Sequence, residues 1–418
     1  MREPLSLYIH IPFCVKKCLY CDFLSFPDTD YVRQKQYTDA LCTEMEAYRL
    51  EAKKYLVDTI FIGGGTPSSM KEGLIARIFQ KLREIWKLEE LPEITIECNP
   101  GTVNRDKLEE YIACGINRLS FGLQSADNEE LKRIGRIHNY EQFVANYQLA
   151  RETGFRNINV DLMSALPGQT LASYGKTLAK VLELCPEHIS AYSLIVEEGT
   201  PLAQSKELLA MLPNENQDRA MYQYTKKILR SMGYERYEIS NYSLPGYECR
   251  HNIGYWTGRN YLGLGLGAAS CYQGKRFHNL MDMRRYIEYG NSITEVDKEK
   301  PAYNFSADYD MDKQETAEQI DMRRLPDRLR EEIQDHTRKD QMEEFMYLGM
   351  RMICGVSEEV FQERFGCSMD SVYGDVIRKH MEEGLLRRQD GRIFLTDQGL
   401  DVSNYVFADF LLDAEQDD

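Results

Sequence analysis

The sequence lacks any long hydrophobic run: no uninterrupted apolar stretch approaches the roughly 20 residues of a membrane-spanning helix. Its N-terminus, MREPLSLYIHIPFC, has a short apolar run with no small-residue cleavage site after it, so it does not read as a signal peptide. A surplus of basic charge is also missing. Lys and Arg number 51 against 67 Asp and Glu, a formal net charge of −16. That argues against a general nucleic-acid binder, because neutralising phosphate needs excess cations. Nor is there a disulfide framework, since the 11 cysteines are odd in number and scattered over 418 residues. The expected location is the cytoplasm, and both peripheral membrane contact and a homodimer are compatible with the sequence.

What is present is an ordinary globular composition, 43% hydrophobic and 28% charged, long enough for one large domain and a smaller one. Short apolar runs at Leu5–Ile11, Thr59–Ile62, Ile94–Glu97, Arg118–Gly122, Ile158–Leu162 and Ile189–Leu194 predict strands. Between them, Tyr31–Tyr55, Lys71–Trp86, Arg105–Ala113, Tyr140–Thr153 and Leu171–Leu184 predict helices. Alternation in this order implies an α/β fold with a parallel sheet covered by helices. Residues 1–200 form this core, and 201–294 extend it with a helix and an aromatic, polar segment. The charged stretch 295–340 reads as a linker or insertion. Residues 341–418 read as a small helical domain ending in a hairpin about Asp390-Gly391, which suggests a winged-helix-like module. Asp370, Asp375, Glu382 and Glu383 acidify its candidate recognition helix, which favours a packing role over DNA binding.

The chemically unusual residues fall at the C-terminal ends of the successive strands, the face that carries the active site in parallel α/β barrels. After the first strand, Cys14, Cys18 and Cys21 offer three thiolates within eight residues. Thiolates suit iron–sulfur clusters, and three ligands on a four-iron cluster leave one iron open. A zinc site with His10 or another fourth ligand competes, but no second cysteine pair exists to complete it. Gly63-Gly64-Gly65-Thr66 follows the second strand and lets the backbone approach a ligand closely. Glu97, Gln124 and Asp161 close the next three strands, where polar groups are costly to bury without partners. Arg136 offers a fork for a carboxylate.

In order along the chain, YIHIPFCVKKCLYCDF, IGGGTPS, IECNPGT, RLSFGLQS, RIGRIH and VDLMSALPGQT resemble the radical S-adenosylmethionine (SAM) proteins related to oxygen-independent coproporphyrinogen III oxidase. The resemblance covers roughly residues 5–285 and implies a partial (β/α)6 barrel, a [4Fe–4S] cluster on the three cysteines, and SAM. By motif position it implies SAM contacts at Tyr8, Tyr20, Gly64, Gly65, Thr66, Glu97, Gln124, Arg136 and Asp161. One departure is Ala165, where a glycine before Leu-Pro is usual.

Two absences select a branch. The decarboxylating oxidase carries a further cysteine two positions after the triad, where this chain has Phe23, and it has a long N-terminal extension. Both absences, together with His251-Asn252-Ile253-Gly254-Tyr255-Trp256, match the HemW, or haem chaperone, branch. The implied function is to bind haem, with SAM and the cluster, and pass it to acceptor proteins; reductive SAM cleavage stays open. The alternative is radical decarboxylation of porphyrin propionates. His251 is a candidate axial ligand beside the flat rings of Tyr255 and Trp256, with Cys249 as the other candidate. The competing reading makes His251 and Asn252 hydrogen-bonding braces of the barrel's open edge and Trp256 core filling.

Overall fold

A computed structural model describes residues 2–291 and 328–412. Six parallel strands run side by side in chain order: β1 (Glu3–Ile11), β2 (Tyr55–Gly64), β3 (Leu88–Cys98), β4 (Arg118–Gln124), β5 (Ile158–Ser164) and β6 (His188–Ser193). Helices α1 (Tyr31–Ala47), α2 (Leu74–Ile85), α3 (Arg105–Ala113), α4 (Tyr140–Thr153) and α5 (Leu171–Leu182) connect them. This is the expected partial (β/α)6 barrel. Every residue of β4 is buried, as a strand covered on both faces must be. α2 buries Leu74, Ile75, Ile78, Phe79, Leu82 and Ile85 on one face, the spacing of an amphipathic helix. Truncating Phe79 there would cost about 3–5 kcal/mol.

Local signals set the helix starts. Asn139 and Thr170 each close a reciprocal capping box at α4 and α5. Gly154 ends α4 with φ 121°, a conformation that favours glycine. The first predicted helix is too long. α1 stops at Ala47, and Tyr55 begins β2 opposite Glu3, because buried Tyr55 and Val57 fill the sheet interior.

The sheet continues on both sides. β8 (Asn241–Ser243) adds antiparallel to β6 and β7 (Glu235–Arg236) antiparallel to β8, while β9 (Tyr261–Leu264) pairs parallel with β1. β10 (Ala269–Tyr272), β11 (Lys275–Asn279) and β12 (Arg330–Asp335) follow antiparallel, giving twelve strands. The buried Glu44 of α1 clasps this extension, accepting from Gly265 N (2.8 Å), Asn279 Nδ2 (2.7 Å) and Tyr286 OH (2.5 Å). Of the charged 295–340 segment, 295–327 lie outside the described residues, whereas β12 is an ordered edge strand and a helix follows at Arg338–Gly349.

That helix opens a second core of Met342, Met346, Met350, Phe361, Phe365, Tyr373 and Ile377. Three short strands, Val356–Ser357, Leu386–Gln389 and Arg392–Leu395, complete the winged-helix-like unit. It docks on the barrel. The Arg351 guanidinium lies 4.4 Å from the Trp256 ring centre, Ile353 N donates to Tyr237 O (3.0 Å), and Arg276 Nε donates to Glu344 Oε1 (2.6 Å). On its candidate helix, Asp370 is engaged by Arg388, which also reaches Glu358 at 2.6 Å.

Candidate cofactor site

The C-terminal ends of the parallel strands surround a cavity of about 390 Å³. Cys14, Cys18, Cys21, Tyr20, Gly64, Gly65, Thr66, Glu97, Gln124, Arg136 and Asp161 all line it. The ends of the first five strands and the Arg136 segment thus converge on it, whereas the stretch after the sixth strand, SLIVEEGT, does not line it.

The cysteine loop is tied down on several sides. Gly65 N donates to Ile11 O (2.8 Å) and Thr66 N to Phe13 O (2.7 Å), zipping the glycine turn against the chain entering the loop. A Cβ on Gly65 would stand 2.8 Å from Phe13 O, and one on Gly64 (φ 109°) would stand 2.4 Å from the His10 ring. These glycines serve close backbone approach. Leu19 N donates to Ile134 O (3.1 Å), holding the middle of the loop to the segment that carries Arg136.

The donor set fits an iron–sulfur cluster. All three thiols are free, and each faces the cavity. Among the described residues no three His, Cys, Asp or Glu side chains converge as a single metal ion needs. Three free thiols on one cavity are the donor type and number that an iron–sulfur cluster takes. Thr66 Oγ1 donates to Cys14 Sγ (3.4 Å) and Arg136 Nη1 to Cys18 Sγ (3.5 Å), contacts that favour thiolate. Burial pushes the Cys14 and Cys21 thiols upward, a cost that metal coordination offsets by displacing the proton.

Arg136 joins the strand ends. Its Nη2 donates to Asn99 Oδ1 (2.7 Å) and to the Gly122 carbonyl, and Asn99 Nδ2 donates to Thr66 Oγ1 (2.8 Å). Gln124 sits at φ 70°, an uncommon conformation for its residue type, and accepts from Tyr192 OH (3.1 Å). Glu97 Oε2 accepts from Gly64 N (3.1 Å). Burial, then the nearby Asp161 carboxylate, pushes the Glu97 carboxyl up to about 8. Asp161 accepts from Asn159 Nδ2 (2.7 Å) and Ser120 Oγ (3.3 Å). The cavity wall therefore offers acceptors that suit ammonium and hydroxyl groups, with a cation beside the cysteines.

Five sequence candidates lie elsewhere. Tyr8 does not border the cavity; its hydroxyl meets His10 Nδ1 at 3.1 Å. His251 is 1% exposed, and both ring nitrogens are occupied, Nδ1 with Thr59 Oγ1 and Nε2 with Tyr255 OH, each at 2.9 Å. Burial holds its pKa down to about 3, so the ring is neutral. The Tyr255 ring packs edge-on to Tyr261 at 4.7 Å, and Trp256 faces Arg351 of the second domain. Cys249 is fully buried and lies 3.5 Å from Glu93 Oε1. In this arrangement the His251 segment is a brace between barrel and second domain, with no open coordination position at His251 or Cys249. Asn252 is the member of the motif that lines the cavity.

The sequence reading passed over Asn99, Arg118 and Tyr192, all on the cavity wall. Asn99 follows a strand end directly and was legible by that rule. Arg118 begins its strand, where a cation reads as an ordinary flank.

The fold and its cysteine-lined cavity define a radical SAM protein. The Radical SAM superfamily model matches residues 8–181, and the HemN C-terminal domain model matches residues 336–402. The structure of coproporphyrinogen III oxidase (HemN) from Escherichia coli shares the fold, with a TM-score of 0.77 at 24% identity over 98% of this chain and 90% of that one. Full-length likeness is more specific. The heme chaperone HemW of Lactococcus lactis is 35% identical over 99% of both chains. That of Bacillus subtilis is 35% identical over 97% of this chain and 99% of its own length. The chain belongs to the heme chaperone HemW family.

Proposed function

We propose that this protein binds haem and passes it to acceptor proteins in the cytoplasm, using a cavity that holds a [4Fe–4S] cluster and SAM. The observation that carries this reading is the convergence of Cys14, Cys18 and Cys21 with Glu97, Gln124, Arg136 and Asp161 on one cavity, in a chain alike end to end with heme chaperones. When bound, the cluster supplies an open iron for the amino and carboxylate groups of SAM and an electron for its reductive cleavage.

The chain's own residues divide the remaining work. Cys14, Cys18 and Cys21 hold the cluster, and Thr66 and Arg136 donate to its sulfur ligands. Arg136 also meets the SAM carboxylate, Glu97 and the glycine turn meet its ammonium, and Asp161 and Gln124 meet its ribose. Tyr20, beside Cys21, closes the wall. Haem is cargo in this reading. Among the described residues no helix is long and apolar enough to cross a membrane.

The alternative, oxidative decarboxylation of coproporphyrinogen, is disfavoured by Phe23. This side chain is 69% exposed at the cavity edge, in the position where the oxidase carries a cysteine. Anaerobic incubation of the reconstituted protein with coproporphyrinogen, SAM and a strong reductant tests both readings. The proposal expects unchanged coproporphyrinogen. Protoporphyrinogen at many turnovers per chain would make the protein an oxidase.

A further inference from the structure

The base of the cavity holds a cation, Arg118, whose charge Glu93 and Asp161 help to balance but whose Nε makes no hydrogen bond among the described residues. Arg118 opens β4, six residues and therefore about 20 Å of strand from Gln124 at the other end. Its side chain is 2% exposed, yet it borders the same cavity, and its Nε has no hydrogen-bond partner. The neighbouring carboxylates are engaged by other donors. Glu93 accepts from Arg250 N (2.9 Å) and His251 N (3.0 Å), and Asp161 accepts from Asn159 and Ser120. A buried guanidinium short of partners is costly, and a ligand that completes its hydrogen bonds removes that cost. Asn252 borders the same cavity from α6 (Arg250–Trp256).

We infer that Arg118, with Asn252, forms a carboxylate-binding subsite at the base of the cavity, at the opposite strand ends from the cysteines. A guanidinium takes a carboxylate through two parallel N–H···O bonds, and the Asn252 amide supplies a further donor. The Asn241 side-chain oxygen also borders the cavity without a partner. It needs a donor, so a water or hydroxyl accompanies the carboxylate on that side. The carboxylate comes from a propionate arm of a porphyrin, a case that rests on the haem reading above, or from a free small carboxylic acid.

The test titrates the full-length, cluster-reconstituted protein with haem, haem dimethyl ester and succinate. It compares the unaltered protein with Arg118→Gln, Arg118→Lys and Asn252→Asp. A porphyrin propionate at Arg118 predicts that esterification and Arg118→Gln each weaken haem binding about tenfold or more, with partial rescue in Arg118→Lys. A free acid predicts calorimetric succinate binding that Arg118→Gln abolishes while haem is unaffected. Asn252→Asp keeps the side-chain shape and adds a negative charge, so it must weaken whichever carboxylate binds, even if Arg118→Gln fails to fold. Equal haem and ester affinities, indifferent to all three substitutions and with no Arg118-dependent succinate binding, overturn the subsite. Failure of haem to bind the unaltered protein overturns the haem reading alone, and the succinate titration then decides the subsite.

Discussion

His251 and Thr59 lie 192 residues apart and share a 2.9 Å hydrogen bond inside the barrel, with the second ring nitrogen of His251 spent on Tyr255. That bond fastens α6 to β2, and it makes His251 a structural tie at the point where a histidine before aromatic residues invites a ligand role. Replacing His251 with Ala leaves the Thr59 and Tyr255 hydroxyls without partners in a buried site. Stability should fall by roughly 2–4 kcal/mol in urea unfolding. The Soret band of haem added to the folded variant should keep its position. A shifted Soret band with unchanged stability would return His251 to the iron.

Cys18→Ala removes a thiolate, and after anaerobic reconstitution it should lose most of the about four irons and four sulfides per chain expected of the unaltered protein. Gly65→Ala removes no ligand, but its Cβ would meet Phe13 O at 2.8 Å and displace the chain entering the cysteine loop. It should therefore also reconstitute poorly, by the same iron and sulfide assay. Full iron content in Gly65→Ala would separate the glycine turn from cluster assembly. Stoichiometric zinc without iron in the unaltered protein would remove the cluster from the account.

Ala165 has φ 58°, in the left-handed region that costs a residue with a Cβ about 1–2 kcal/mol. The position where glycine is usual in the family is thus strained here. Ala165→Gly relieves that strain at the expense of a more flexible unfolded chain, so a net gain of up to about 1 kcal/mol is expected from the urea midpoint. A loss of stability would show that the loop tolerates Ala165 without strain.

Glu97 gives the apoprotein a pH signature. Its carboxyl, ordinarily near 4.5, is pushed up to about 8 by burial and by Asp161. Between those values the folded chain keeps a proton that the unfolded chain has released. Its contribution to stability is full below about pH 4.5 and is lost as pH rises through about 8. Glu97→Gln should flatten this part of the profile, read as the difference in unfolding free energy between the two proteins at each pH. Parallel profiles would mean that Glu97 is already ionised in the fold.

Much of the fold was legible because its signals are local. Apolar runs marked all six parallel strands, and glycine, cysteine and acidic residues just beyond them marked the cavity. Eleven of the strand-end candidates meet there. The extension of the sheet beyond β1 was not legible. β9 to β12 are short, and β12, REEIQD, carries mostly charged residues because it forms an edge of the sheet. The direction of the His251 segment was equally hidden. Histidine, tyrosine and tryptophan are chemically suited to both haem and a buried brace, and only the partners Thr59, Tyr261 and Arg351, distant in sequence, decide between them. Arg118 escaped notice because a lone cation ahead of LSFG looks like a strand flank until the barrel closes over it.

A haem transfer assay tests the proposed function most directly. The reconstituted protein is loaded with haem, separated from free haem, and mixed with an apo-haemoprotein whose Soret band differs from its own. Stable loading of about one haem per chain is expected, with a Soret shift to the acceptor faster than from free haem in the same buffer. Absence of loading, or loading with no transfer to any acceptor, would contradict it.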